Sequence, residues 1–258
     1  MRRATIGEQL VVWRVRPAPA AAAAPVLYVH GVPTSSRDWE PFLARTGGLA
    51  PDLPGFGESG KRGDGDYTME GYDAFVERFL AHAGVERARL VVHDWGAAAL
   101  LWAQRCPERV ERLVVMNAVP LLPGYRWHRV ARVWRTPLAG EVAMGLSTRA
   151  TMGRFLPVAL RDDALAHFDQ GTQRAILRLY RSSPPERLAE AGARLARLRC
   201  PALMLWGDRD PYVPPRFADA YAAALGGPAE VVHLAAGGHW PWVDAPEVVE
   251  RVAAFLDG

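Results

Sequence analysis

The chain has 258 residues, about half of them apolar, enough to bury the core of one domain carrying a modest insertion. Its formal charge of +3 comes almost wholly from arginines, Lys61 being the one lysine, and these lie scattered singly, which argues against a nucleic-acid partner. No apolar run reaches the length of a signal peptide or a membrane span, so a cytoplasmic chain with no membrane partner is expected. Cys106 and Cys200 lie far apart, each before a proline, and read as buried free thiols. No histidine or cysteine spacing suggests a metal, and the oligomeric expectation is a monomer or homodimer.

Apolar runs of strand length alternate with longer helical patterns, predicting a mostly parallel sheet flanked by helices. The expected strands are Gln9 to Arg16, Val26 to His30, Ala88 to His93, Arg112 to Asn117, Ala202 to Trp206 and Glu230 to Leu234. Expected helices include Met69 to Ala83, Ala97 to Arg105, Pro215 to Ala224 and Pro246 to Leu256, the last with Val248, Val249, Val252 and Phe255 on one face. The proline- and alanine-rich stretch from Pro17 to Pro25 reads as a surface connection. From Ala118 to about Pro185 the alternation breaks into a helical region rich in arginine and aromatics, which could fold over the strand ends and shape a pocket. This divides the chain into a first core segment (1–117), a helical cap (118–185) and a second core segment (186–258).

The run from Leu90 to Ala99 carries the most chemistry: a buried strand, a tight turn at His93-Asp94-Trp95-Gly96, and a helix start. A sharp strand-to-helix turn presents one side chain above the sheet beside free backbone amides. Here that side chain is the carboxylate of Asp94, a nucleophile suited to a saturated carbon bearing a leaving group. Three further motifs accompany it in chain order: His30-Gly31-Val32-Pro33-Thr34-Ser35-Ser36 after a strand, Asp52-Leu53-Pro54-Gly55-Phe56-Gly57-Glu58-Ser59, and the pair Gly207-Asp208-Arg209-Asp210-Pro211 with Gly237-Gly238-His239-Trp240-Pro241. Gly55 to Gly60 also satisfies a dinucleotide pattern, but the polar loop after it is no helix start, so no cofactor is expected.

Together these motifs resemble the α/β-hydrolase superfamily, and within it the aspartate-nucleophile epoxide hydrolases and haloalkane dehalogenases. The resemblance implies an α/β-hydrolase fold with the cap inserted after strand 6. It implies Asp94 as nucleophile, His239 as base for the hydrolytic water and Asp210 as the acid orienting His239, with Asp208 the rival. The other acid position of the superfamily, after the sixth strand, is held by Asn117, and an amide cannot serve as that acid. The backbone N–H groups of Val32 and Trp95 form the expected oxyanion hole. The chemistry is then two steps: an alkyl ester forms on Asp94, and water hydrolyses it.

An epoxide oxygen needs an acid, whereas a halide needs neutral donors. Tyr180, in Leu179-Tyr180-Arg181, resembles the cap tyrosine of epoxide hydrolases, and Tyr125 is a weaker second. For a dehalogenase, the Trp95 indole supplies one halide donor; Val32 stands where an asparagine could supply another and donates nothing, leaving Trp127 or Trp134. The preferred sequence reading is opening of a small apolar epoxide to a diol, with haloalkane hydrolysis as the alternative. A non-catalytic ligand-binding protein is the alternative of another class.

Overall fold

The computed structural model describes residues 1–18 and 24–258, so most of the Pro17 to Pro25 connection lies outside the described residues. Among the described residues, eight strands form one sheet in the spatial order β1-β2-β4-β3-β5-β6-β7-β8. They are β1 (Arg2–Ile6), β2 (Gln9–Arg16), β3 (Val26–Val29), β4 (Gly48–Pro51), β5 (Ala88–His93), β6 (Val110–Met116), β7 (Ala202–Gly207) and β8 (Ala229–Leu234). Only β1 with β2 and β2 with β4 pair antiparallel; every other neighbouring pair is parallel.

The side-chain period of two divides the apolar strands between two cores. Leu27, Val29, Leu90, Val92, Leu113, Val115, Met204 and Trp206 face one side, where helices α2 (Met69–Ala83), α3 (Ala99–Arg105) and α10 (Arg216–Ala224) pack. Val26, Tyr28, Val91, Val114, Met116, Leu203 and Leu205 face the other, against α1 (Glu40–Thr46), α11 (Pro241–Asp244) and α12 (Glu247–Asp257). β5 is buried along its whole length, so the turn that follows it is held by both cores.

Between β6 and β7 the chain builds α4 (Arg129–Arg135), α5 (Ala139–Gly145), α6 (Arg149–Met152), α7 (Val158–Ala166), α8 (Gln170–Ser182) and α9 (Pro185–Ala191). α8 anchors this layer: Thr172 Oγ1 donates to the Gly55 carbonyl at 2.9 Å, and Lys61 Nζ meets Asp169 at 2.8 Å. α7 adds Asp163, which accepts the Ser35 hydroxyl at 2.5 Å.

The sequence reading missed two strands. β1 is a mostly exposed edge with little apolar alternation, and β4 is four residues beginning with a glycine. Neither carries a periodic signal; both exist because β2 supplies an antiparallel partner on each side.

Candidate active site

Chain order reverses between β3 and β5, with β4 on one side and β6 on the other, and loops after β3, β5, β6, β7 and β8 converge there. The turn after β5 holds Asp94 at φ +48°, a left-handed conformation that costs energy for any residue but glycine. Two glycines make room for it. A Cβ on Gly96 would lie 2.1 Å from the Val29 carbonyl oxygen, and one on Gly31 would lie 2.4 Å from the Asp94 side chain. The Asp94 carbonyl accepts the Val119 N–H at 3.0 Å, which fixes the turn from the loop after β6.

Asp94 is buried, and its Oδ2 accepts the Val32 N–H at 2.9 Å. Its Oδ1 faces His239 Nε2 at 3.7 Å. His239 Nδ1 is 2.7 Å from Asp210 Oδ2, a geometry that puts the ring proton on Nδ1 and leaves Nε2 directed at Asp94. The other oxygen of Asp210 accepts the Tyr212 and Val213 N–H groups at 2.7 and 3.1 Å. Asp208 is turned away and bonds His233 at 2.7 Å. The ring of His93 packs 4.7 Å from that of His239, and its Nε2–H donates to the His239 carbonyl at 2.7 Å.

The charges are mutually dependent. Burial alone would raise Asp210, but the His239 charge and hydrogen bond, the Tyr212 amide and the Asn117 amide together hold it below the usual carboxylate range. Burial disfavours the His239 imidazolium, yet Asp210 and then Asp94 outweigh this and raise its pKa above the ordinary value. Burial pushes Asp94 up, opposed by His239 and the backbone N–H groups of Val32 and Trp95.

Asp94 and His239 open onto a cavity of about 330 Å³ whose wall includes Val119, Tyr125, Trp127, Trp134, Tyr180 and Tyr212. Burial raises the hydroxyl pKa of Tyr180 well above 10 and that of Tyr125 likewise, so both remain protonated donors at neutral pH. The Tyr125 hydroxyl donates a hydrogen bond to the Tyr212 carbonyl at 3.3 Å. The Trp95 indole, expected as a halide contact, is not part of the wall: Trp127 stacks on it at 5.4 Å and Tyr180 meets it edge-on at 5.0 Å. Its Nε1 is buried beside the Tyr180 hydroxyl without completing a well-formed hydrogen bond. Of the alternative tryptophans, Trp127 spends its N–H on the Ser183 carbonyl at 2.9 Å.

Sequence reasoning missed four residues here. Asn117, set aside as unable to act as an acid, donates from Nδ2 to Asp210 Oδ2 at 2.7 Å and accepts the Gly207 N–H at 3.0 Å. Tyr212 stands edge-on to the His239 ring at 4.9 Å. His128 lines the cavity, and burial lowers its pKa to about 4, which keeps it neutral. Asp38 is buried, accepts the Thr34 hydroxyl at 2.6 Å, and is raised by burial to about 8. The motif His30 to Ser36 could have drawn the eye to Asp38, two residues on; nothing local marks the other three.

Known proteins agree with this architecture. A haloalkane dehalogenase of Bradyrhizobium diazoefficiens is 32% identical, covering 90% of this chain and 87% of its own length. One of Mesorhizobium japonicum is 31% identical over 91% of this chain and 85% of its own. The crystal structure of haloalkane dehalogenase DbeA from Bradyrhizobium elkani superposes with a TM-score of 0.84 at 29% identity, covering 100% of this chain and 97% of that one. A profile of the alpha/beta hydrolase family matches residues 26–252, and with the sheet order above it assigns the chain: this protein belongs to the alpha/beta hydrolase family.

Proposed function

We propose that this chain hydrolyses small apolar haloalkanes to an alcohol and halide through an ester on Asp94. One observation carries the reading: a carboxylate, not a hydroxyl, occupies the strained turn after β5 and faces an apolar cavity with a histidine 3.7 Å away. The names of the relatives favour halide over epoxide, against the preference drawn from sequence.

With Oδ2 engaged by the Val32 amide, Oδ1 is the oxygen that attacks carbon. A carbon–oxygen bond forms, the carbon–halogen bond breaks, and the pair leaves with the halide. Water then adds to the ester carbonyl of Asp94 as His239 Nε2 takes its proton, and Asp210 stabilises the imidazolium. The Val32 and Trp95 amides hold the oxyanion, whose collapse expels the alcohol. Val32 offers no side-chain donor, Trp95 lies behind the wall and Trp127 spends its N–H on Ser183, so on this reading the departing halide falls to the Tyr180 hydroxyl and the Trp134 indole, both in the cavity wall.

Epoxide opening is a second reading, favoured by the protonated Tyr180 in the cavity wall, with Tyr125 beside it holding its O–H on the Tyr212 carbonyl. The decisive test uses the His239→Gln variant with 1-bromobutane and with styrene oxide. The expected result is a burst of bromide, about one per enzyme, with a butyl ester on the peptide containing Asp94 and none in Asp94→Ala. An adduct from styrene oxide alone would move the assignment to epoxides. No adduct from either, in a folded variant, would end the covalent mechanism.

A further inference from the structure

The cap carries an exposed apolar face joined to the mouth of the cavity. Leu138, Val142 and Leu146 follow one another at intervals of four residues along α5 and its flanks and are 79%, 61% and 70% exposed. Val133, Leu146 and Phe155 are exposed and also line the cavity, so the face runs without interruption into the rim of the pocket. Leu138 holds its outward position at φ +66°, a strained conformation for leucine.

The segment that carries this face is one-sided in charge. Between residues 124 and 160 there are six arginines and one acid, Glu141. Arg181 takes Glu141 with hydrogen bonds of 2.6 and 2.7 Å, and Arg126, Arg129, Arg132 and Arg154 stand exposed. Over residues 118–185 ten arginines oppose four acids, whereas the rest of the chain has twenty-one cations against twenty-four acids. The positive charge of the protein is thus concentrated in the layer that bears the apolar rim.

We propose that this cap face docks peripherally on an anionic lipid bilayer, so that the cavity mouth opens toward the lipid. Exposed leucine, valine and phenylalanine side chains suit the acyl boundary, and the exposed arginines of the same segment suit lipid phosphates. A second copy is a poorer occupant, because a two-fold contact would set the arginine-rich face against itself. Among the described residues no helix is long and apolar enough to cross a membrane, and attachment of this kind needs none. Taken with the haloalkane reading, on which this part rests, the arrangement delivers an apolar substrate from the bilayer into the cavity without passage through water. The docking itself is independent of that reading.

The test is co-sedimentation of the full chain with vesicles of phosphatidylcholine alone and of phosphatidylcholine mixed with phosphatidylglycerol. Binding is expected to the mixed vesicles only, and to be lost in high salt. Arg129→Gln with Arg132→Gln should weaken binding by about fivefold per arginine removed. Leu138→Gln with Val142→Gln should abolish it while leaving turnover of dissolved haloalkane unchanged, since neither residue lines the cavity. Binding to mixed vesicles without any haloalkane turnover would support the docking and overturn only the substrate. Failure to bind mixed vesicles, or unaltered binding by the Leu138/Val142 double variant, overturns the docking. So does a lipid-free dimer that this variant converts to monomer.

Discussion

Asn117 Nδ2 lies 2.7 Å from Asp210 Oδ2, the same oxygen that meets His239 Nδ1 at 2.7 Å. With the Tyr212 and Val213 amides on Oδ1, every approach to this carboxylate is taken by a donor, and its plane is fixed relative to the imidazole. Asn117 can do this because it sits at φ +39° just beyond β6, which turns its side chain across to the loop after β7. Its Oδ1 is held in turn by the Gly207 N–H, so the amide cannot flip without losing both contacts.

Asn117→Ala should therefore act on the second chemical step and not the first. The Asp94 attack does not pass through Asp210, so the bromide burst is preserved. Ester hydrolysis needs an oriented His239 and should slow by roughly tenfold to a hundredfold, as loss of a positioning partner commonly does. Single-turnover kinetics separate the two. A variant slowed equally in both steps would mark Asn117 as a support of the fold alone.

The leaving-group site makes a different claim on Tyr180. Removing its hydroxyl with Tyr180→Phe should slow the burst by about tenfold, the effect of roughly 1.4 kcal/mol in one lost hydrogen bond. Ester hydrolysis should not change, since it needs water and His239 but no donor to the halide that has already left. An unaltered burst would remove Tyr180 from halide release and leave the indole of Trp134, which also lines the cavity, as the donor.

What the sequence displayed and what it hid divide along a physical line. Asp94, Asp210 and His239 each follow a continuous apolar run that reads as a strand, with glycine or proline beside them, so local signals located all three loops. The resemblance, not a local signal, favours Asp210 over Asp208, and the geometry pairs Asp210 with His239 while Asp208 bonds His233. Asn117 was visible but misjudged: its contact depends on a positive φ and a partner ninety-three residues away. Tyr212 and His128 enter the cavity only through the packing of the segment between β6 and β7 against the strand ends, an arrangement no periodicity encodes. Trp95 was placed correctly in the turn, yet its indole is covered by Trp127 and Tyr180, two residues from the layer least legible in sequence.

Asp38 gives a prediction about stability. Its carboxyl is buried with the Thr34 hydroxyl, and Asp163, Asp94 and His239 face it from neighbouring elements; burial, with the two aspartates, raises it from 3.8 to about 8. The folded state therefore keeps a proton that the unfolded chain gives up near the ordinary carboxylate value. Above that value the unfolded state binds fewer protons, so stability falls as pH rises and the loss is complete above about 8. Asn is isosteric with the protonated acid and does not titrate. Asp38→Asn should match the wild type near pH 4 and exceed it in Tm by several degrees near pH 8, on the scale of about 2–4 °C per kcal/mol for a chain of this size. Thermal unfolding of both proteins across this range measures the difference directly. Parallel Tm curves would mean that Asp38 is ionised in the folded protein, and that its charge is balanced by His239.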